Sequence, residues 1–76
     1  MDAVLDLQDP VMLIRDLVWD AMDGSVSAQA LLGDCFLHGH EVLRDVEIAS
    51  YWLRKAAPFD ATAKQQLTEL KSEGLI

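Results

Sequence analysis

The chain has 76 residues and one cysteine, so it has room for a single folded domain over residues 1–76 and cannot form an internal disulfide. Its hydrophobic fraction of 51% is too high for a disordered chain, and no apolar run approaches the ~20 residues that cross a bilayer. The net charge of -7 disfavours direct binding to nucleic acid or anionic membranes and favours partners with basic segments.

The acidic residues are concentrated in the first half of the chain. Residues 1–34 contain seven aspartates and one arginine, whereas residues 35–76 contain six acidic and five basic residues. Asp2 and Asp6 stand where a secretory signal would carry positive charge, so we expect a cytoplasmic protein. The acidic half either steers basic partners or only keeps the chain soluble, and both interpretations stay open.

The first predicted helix covers residues 10–23. Asp9 can cap free backbone N–H groups, Pro10 suits the first helical position, and Gly24 permits the left-handed conformation that ends helices. Between them apolar residues recur at helical spacing. The predicted inward residues are Val11, Ile14, Val18 and Ala21.

The second helix is capped by Ser25 or Ser27 and ends at Gly39, after which residues 39–44 have no helical period and predict a loop. Its predicted inward stripe consists of Ala28, Leu32 and Phe36.

Two further helices follow the loop. Asp45 caps the third helix and Pro58 prevents its continuation, while Asp60 caps the fourth helix, which ends at Gly74. Their predicted inward residues are Ala49, Trp52, Leu53, Ala56, Ala63, Leu67 and Leu70. No segment alternates at period two, so we predict no sheet.

The middle of the chain carries a dense pattern of small and large residues at fixed spacing. The positions concerned are Ala28-Gln29, Leu32-Gly33, Phe36, Gly39, Val42, Asp45, Ala49, Trp52 and Lys55-Ala56-Ala57. This pattern resembles the Sel1-like repeat, a relative of the tetratricopeptide repeat, and matches its spacing over residues 28–57 without a gap. The departures are Phe36 in place of tyrosine, Glu41 in place of a loop glycine, and Asp60 in place of a turn glycine.

The resemblance implies an all-α fold, a short α-α superhelix of about four antiparallel helices. One full repeat would cover residues 25–57, with flanking helices at residues 10–23 and 61–72. Because one repeat cannot bury both of its faces, something must cover the ends. Either the terminal segments fold back, with Val4, Leu5 and Leu7 at one end and Leu75 and Ile76 at the other, or two chains pair as a homodimer.

A helical wheel gives the first helix an apolar arc wider than one neighbouring helix would cover. Met12, Trp19 and Met22 extend this arc, and Asp16, Asp20 and Asp23 line the far side. An aromatic residue and flexible methionines beside acidic residues are typical of a protein-binding surface. The alternative is that Trp19 packs under the N-terminal tail.

A second candidate surface follows from the resemblance, which implies a concave, peptide-binding face lined by the first helices of the repeats. Gln29, Asp34 and His38 lie off the inward stripe of helix two and would contribute to that face. The simpler interpretation is a solvated helix face.

We expect no metal, no cofactor and no enzymatic activity. Cys35 and His38 are one turn apart, but with His40 they leave a zinc site short of ligands, which Glu41 or Asp34 would have to supply. We therefore predict that Cys35 packs as a small hydrophobe and that the histidines face solvent. The sequence contains no activated nucleophile motif and no phosphate-binding glycine loop.

These observations predict a protein-binding adaptor, chaperone-like module or small regulator that docks another protein through a basic or amphipathic segment of that partner. Two alternatives remain. The acidic strip could imitate a nucleic-acid backbone and inhibit a DNA- or RNA-binding protein, or the chain could be a self-associating structural unit.

Overall fold

The computed structural model describes the backbone of residues 10–76 and the side chains from residue 14 onward. Four α-helices follow one another in this range: α1 Pro10–Met22, α2 Val26–His38, α3 Val46–Ala56 and α4 Ala61–Ser72. The described residues form no strand. The predicted all-α class and the number of helices are therefore confirmed.

Local capping determines where three of the helices begin. Ser25, rather than Ser27, caps α2, and its hydroxyl accepts a hydrogen bond from the backbone N–H of Ala28. Asp45 and Asp60 cap α3 and α4 in the same way, each through a carboxylate oxygen 3.0 Å from a backbone nitrogen. A cap of this kind stabilises a helix by about 1 kcal/mol, so it sets the boundary without determining the packing.

The helices pack mainly on their neighbours in sequence, and α2 is the central element. It contacts α1, α3 and α4, whereas the α1 and α4 backbones do not approach each other in the described part of the chain. Leu32 of α2 and Leu53 of α3 have no solvent exposure at all. The acidic α1 and the more basic α4 are therefore not in contact with each other in the described part of the chain.

Two apolar clusters form the core. The first, between α1 and α2, contains Ala21, Ala28 and Leu32, with Phe36 and Trp52 half-buried against it. The second joins α3 to α4 and consists of Leu53, Ala56, Ala63, Leu67 and Leu70.

The predicted inward residues of α2, α3 and α4 are confirmed, although Trp52 and Phe36 lie at the edge of the core rather than at its centre.

The C-terminal end of the chain is partly packed on the core. Ile76 is half-buried against the α3–α4 cluster, so the C-terminus folds back over the core, while Leu75 stays largely exposed. The corresponding N-terminal prediction, for Val4, Leu5 and Leu7, lies outside the described residues. No helix in the described part is both long and apolar enough to cross a membrane.

Gly33 is the point of closest approach between α2 and α3. A Cβ atom at this position would lie 2.7 Å from Leu53 Cδ2 and 3.3 Å from the carbonyl oxygen of Ala49. Leu53 is fully buried in a packed core, so moving its side chain aside costs free energy, and glycine permits this spacing without that cost.

We expect Gly33→Ala to lower the free energy of unfolding by about 1–3 kcal/mol, because it overpacks the α2–α3 contact. Helix propensity alone would make the alanine variant more stable by about 1 kcal/mol. A net loss in the free energy of unfolding would therefore show that the added Cβ clashes with Leu53. Urea denaturation measures the change. In a Leu53→Ala background the same substitution should be better tolerated, and equal losses in both backgrounds would contradict the contact.

Candidate functional site

The outward side of α1 carries a compact set of exposed residues, which we call the acidic-aromatic face. Its members are Asp16, Trp19, Asp20, Met22 and Asp23, all of them exposed. The exposed fractions of Trp19 and Met22 are 61% and 65%. Large apolar side chains are thus held in water beside three carboxylates, two on α1 and the third, that of Asp23, in the turn that follows it.

Packing on the opposite side of α1 accounts for this orientation. Ala21 is buried against α2, and Ile14, Leu17 and Val18 are half-buried in the same cluster. These four residues occupy the inward side of the helix, so the residues between them must point outward. Met12 is the remaining predicted member of the surface, and its side chain is outside the part of the chain that the structure describes. The N-terminal tail, which the alternative interpretation places over Trp19, is also outside that part.

The C-terminal end of the acidic-aromatic face is held by backbone hydrogen bonds. The N–H of Asp23 donates to the carbonyl of Trp19, and the N–H of Ser25 donates to that of Asp20, both at 3.1 Å. Gly24 makes this turn possible with a φ of 100°, which residues with a Cβ rarely adopt. The face therefore lies on a regular helix whose C-terminal end is fixed by hydrogen bonds. Such a fixed backbone is what a preorganised binding surface requires.

The prediction that Gln29 lies on an exposed binding face is wrong. Its side chain is buried, and its amide Nε2 donates a 3.0 Å hydrogen bond to the carbonyl oxygen of Ala21. That oxygen also accepts the backbone N–H of Gly24. The physical reason is that the last carbonyls of α1 lack helical partners, and the first turns of α2 pack directly against them. Gln29 therefore attaches α2 to α1 through its buried amide instead of lying on an exposed face.

Asp34 and His38, the other two predicted residues of α2, remain at the surface and contact each other. His38 Nδ1 lies 3.0 Å from Asp34 Oδ1, and the amide of Gln66 in α4 donates to that same oxygen at 3.0 Å. Asp34 thus also ties α2 to α4. With Gln29 buried, the surface that the resemblance implied on α2 consists of this pair alone.

Cys35 packs as predicted, as a small buried hydrophobe, and both histidines face solvent. Burial raises the pKa of the Cys35 thiol above its ordinary value, and the nearby negative charges of Asp34 and Glu41 raise it further. A thiol with a raised pKa is a poor nucleophile and a poor metal ligand at neutral pH. A metal site that used Cys35 together with His38, which was considered from the sequence and not predicted, is therefore not favoured.

A groove between α3 and α4 was not predicted. It has a volume of about 570 Å³ and is lined by three cationic side chains, those of Arg54, Lys64 and Lys71, beside the exposed ring of Phe59. The sequence contained one signal for it, since five of the six basic residues fall in the second half of the chain. Which of them would share a surface depends on how α3 packs against α4.

The fold and this surface define a small all-α protein that presents an acidic-aromatic helix face. No protein-family model, no curated protein and no solved structure matches the chain.

We expect Gln29→Ala to lower the free energy of unfolding by about 1–2 kcal/mol, because it removes a buried hydrogen bond between α1 and α2. Gln65→Ala is the matched control, since Gln65 is an exposed helical glutamine, and it should change stability by less than about 0.5 kcal/mol. Urea denaturation of both variants measures the difference. Equal effects would contradict a structural role for Gln29.

The raised pKa of Cys35 predicts a pH-dependent stability. The folded state holds the neutral thiol at a pH where the unfolded chain has already lost that proton, so unfolding releases a proton there. Stability contributed by the neutral thiol is fully present below the ordinary thiol pKa and falls as pH rises above it.

Urea denaturation across the alkaline range, compared with Cys35→Ala, measures this effect. The wild type should lose stability more steeply than the variant. Parallel curves would contradict the raised pKa.

Proposed function

We propose that this chain is a protein-binding module that docks a basic or amphipathic segment of another protein onto the acidic-aromatic face of α1. The observation that carries the proposal is the exposure of Trp19 and Met22 on the same side of α1 as Asp16, Asp20 and Asp23. Leaving a tryptophan this exposed forgoes hydrophobic stabilisation that folding could otherwise gain, which is typical of residues that are buried on binding.

The two kinds of side chain in this face have separate roles in the proposed complex. Trp19 supplies apolar area with few rotatable bonds, so it loses little entropy when a partner encloses it. Met22 is flexible and adapts to the shape of the partner surface. The three aspartates speed association with a basic segment and select against acidic partners, with a smaller effect on final affinity.

The resemblance to the Sel1-like repeat supports the same class of function. The pattern residues Gly33 and Ala49 lie at the α2–α3 contact, and the pattern residue Leu32 is buried in the neighbouring cluster between α1 and α2. We therefore propose that the chain is a one-repeat relative of these scaffold proteins, with α1 and α4 as flanking helices. A cytoplasmic location is part of the proposal and is supported by the free thiol of Cys35.

A second candidate function, self-association, is favoured by the groove between α3 and α4. Its cations, Arg54, Lys64 and Lys71, complement the acidic face of α1, and Phe59 offers an apolar surface for Trp19. Because the α1 backbone approaches neither α3 nor α4 in the described structure, one copy does not join these two surfaces within itself. The arrangement would instead bring the α1 face of one copy to the groove of the next, a head-to-tail contact.

Three alanine variants separate the two functions. Trp19→Ala should weaken partner capture by at least about thirtyfold, the effect of losing a binding hot spot of about 2 kcal/mol, without changing the melting temperature. Leu43→Ala is the control, since Leu43 is an exposed apolar residue in the loop between α2 and α3, and it should bind as the wild type does. Phe59→Ala should reduce self-association only.

The measurements are quantitative pull-down with each variant as bait and sedimentation of each pure chain. Capture that survives Trp19→Ala, or is lost equally with Leu43→Ala, would contradict the assigned surface. A salt titration tests the nucleic-acid-mimic alternative. An apolar anchor should hold the partner at high salt, whereas a phosphate-like acidic strip should release it.

A further inference from the structure

The C-terminal end of α2 brings together three side chains with metal-binding donor atoms. Asp34 and His38 are one helical turn apart, and His40 follows in the turn after the helix. One donor atom from each of the three lies within 4.8 Å of the other two. The set contains two imidazoles and one carboxylate, and neither Cys35 nor Glu41 belongs to it.

The spacing of the donors is close to that of a bound transition metal. His38 Nδ1 and Asp34 Oδ1 are 3.0 Å apart. Zinc binds nitrogen and oxygen at about 2.0–2.2 Å in a tetrahedron, which places any two donors roughly 3.3–3.5 Å apart. The His38–Asp34 pair therefore needs only a slight opening to hold the metal between the two atoms.

His40 is held near this pair by the geometry of the helix end. Gly39 adopts the left-handed conformation, with φ 71° and ψ 34°, and turns the chain back at the last turn of α2. The N–H of His40 then donates to the carbonyl of Cys35 at 2.9 Å, which anchors its backbone. The imidazole rings of His38 and His40 have centroids 5.6 Å apart, and the His40 side chain is exposed, so neighbouring groups leave its ring room to turn toward the Asp34–His38 pair.

The surroundings favour a cation at this position. The negative end of the α2 dipole and the Asp34 carboxylate lie beside it, in a chain with net charge -7. Gln66 donates from α4 to one oxygen of Asp34 and orients the carboxylate, as outer-shell groups do at metal sites. Arg44 offsets part of this field, since its guanidinium bonds the carbonyl of Leu37 at the same helix end.

We propose that Asp34, His38 and His40 form a binding site for one Zn²⁺ ion, with water completing the coordination. Imidazole and carboxylate ligands suit a divalent metal of intermediate softness such as zinc. The site fastens the turn after α2 to the helix itself and, through the Asp34–Gln66 hydrogen bond, to α4. Zinc should consequently raise the melting temperature of the chain.

The test is calorimetric titration of the tag-free full chain with ZnCl₂, followed by NMR of the histidine rings. The chain contains only two histidines, so both sets of ring signals should shift at one equivalent of zinc. Asp34→Asn and His40→Ala should each weaken binding by more than about tenfold. Asp20→Asn, an exposed aspartate on α1, is the matched control and should bind zinc as the wild type does.

Two further measurements distinguish this site from other ways of binding zinc. The Co²⁺-loaded chain should show visible bands without sulfur-to-metal charge transfer, since Cys35 is not a ligand. Wild-type zinc affinity in Asp34→Asn or His40→Ala would overturn the proposal, because it would indicate adventitious binding to one imidazole. Because all three side chains lie at or near the surface, we expect the variants to fold. Melting curves of the metal-free variants test this expectation.

Discussion

The close contact between α2 and α3 at Gly33 determines the rest of the structure. A single missing Cβ lets the Leu53 side chain lie directly on the α2 backbone, and both Leu32 and Leu53 are then completely enclosed. A chain of 76 residues has little other core to rely on. The positions of α1 and α4 follow from this pair, because each packs on residues that the pair holds in place.

The side chains that stabilise α1 are separate from those that would bind a partner. Ala21 is buried and its carbonyl accepts the amide of Gln29, so α1 is attached to α2 through its inward side. Trp19 and Met22 point away from that attachment and contribute little to it. This division means that the acidic-aromatic face can change in sequence, or be covered by a partner, without disturbing the core.

Local signals in the sequence were sufficient for the helices and for most of the core. Asp45 and Asp60 cap helices through bonds to residues three positions away, and Ala49, Leu53 and Ala56 follow helical spacing, so no knowledge of distant contacts is needed. Gln29 could not be placed in this way. It lies one position from the inward stripe, and only the approach of α1 makes it a buried residue.

The surfaces were harder to predict because each depends on where the backbone turns or where helices meet. His40 approaches His38 because Gly39 reverses the chain in a left-handed turn, a three-dimensional consequence that residue spacing does not express. The basic groove depends in the same way on α3 meeting α4. The distribution of charge was also only partly predictable, because composition indicated an acidic and a more basic half but not that α1 and α4 are kept apart, each packing on the α2–α3 pair. Because the acidic face of α1 and the basic groove are separate surfaces, opposite charges would attract the α1 face of one copy to the groove of the next. Acidic and basic residues mixed on one surface would not favour such a head-to-tail contact.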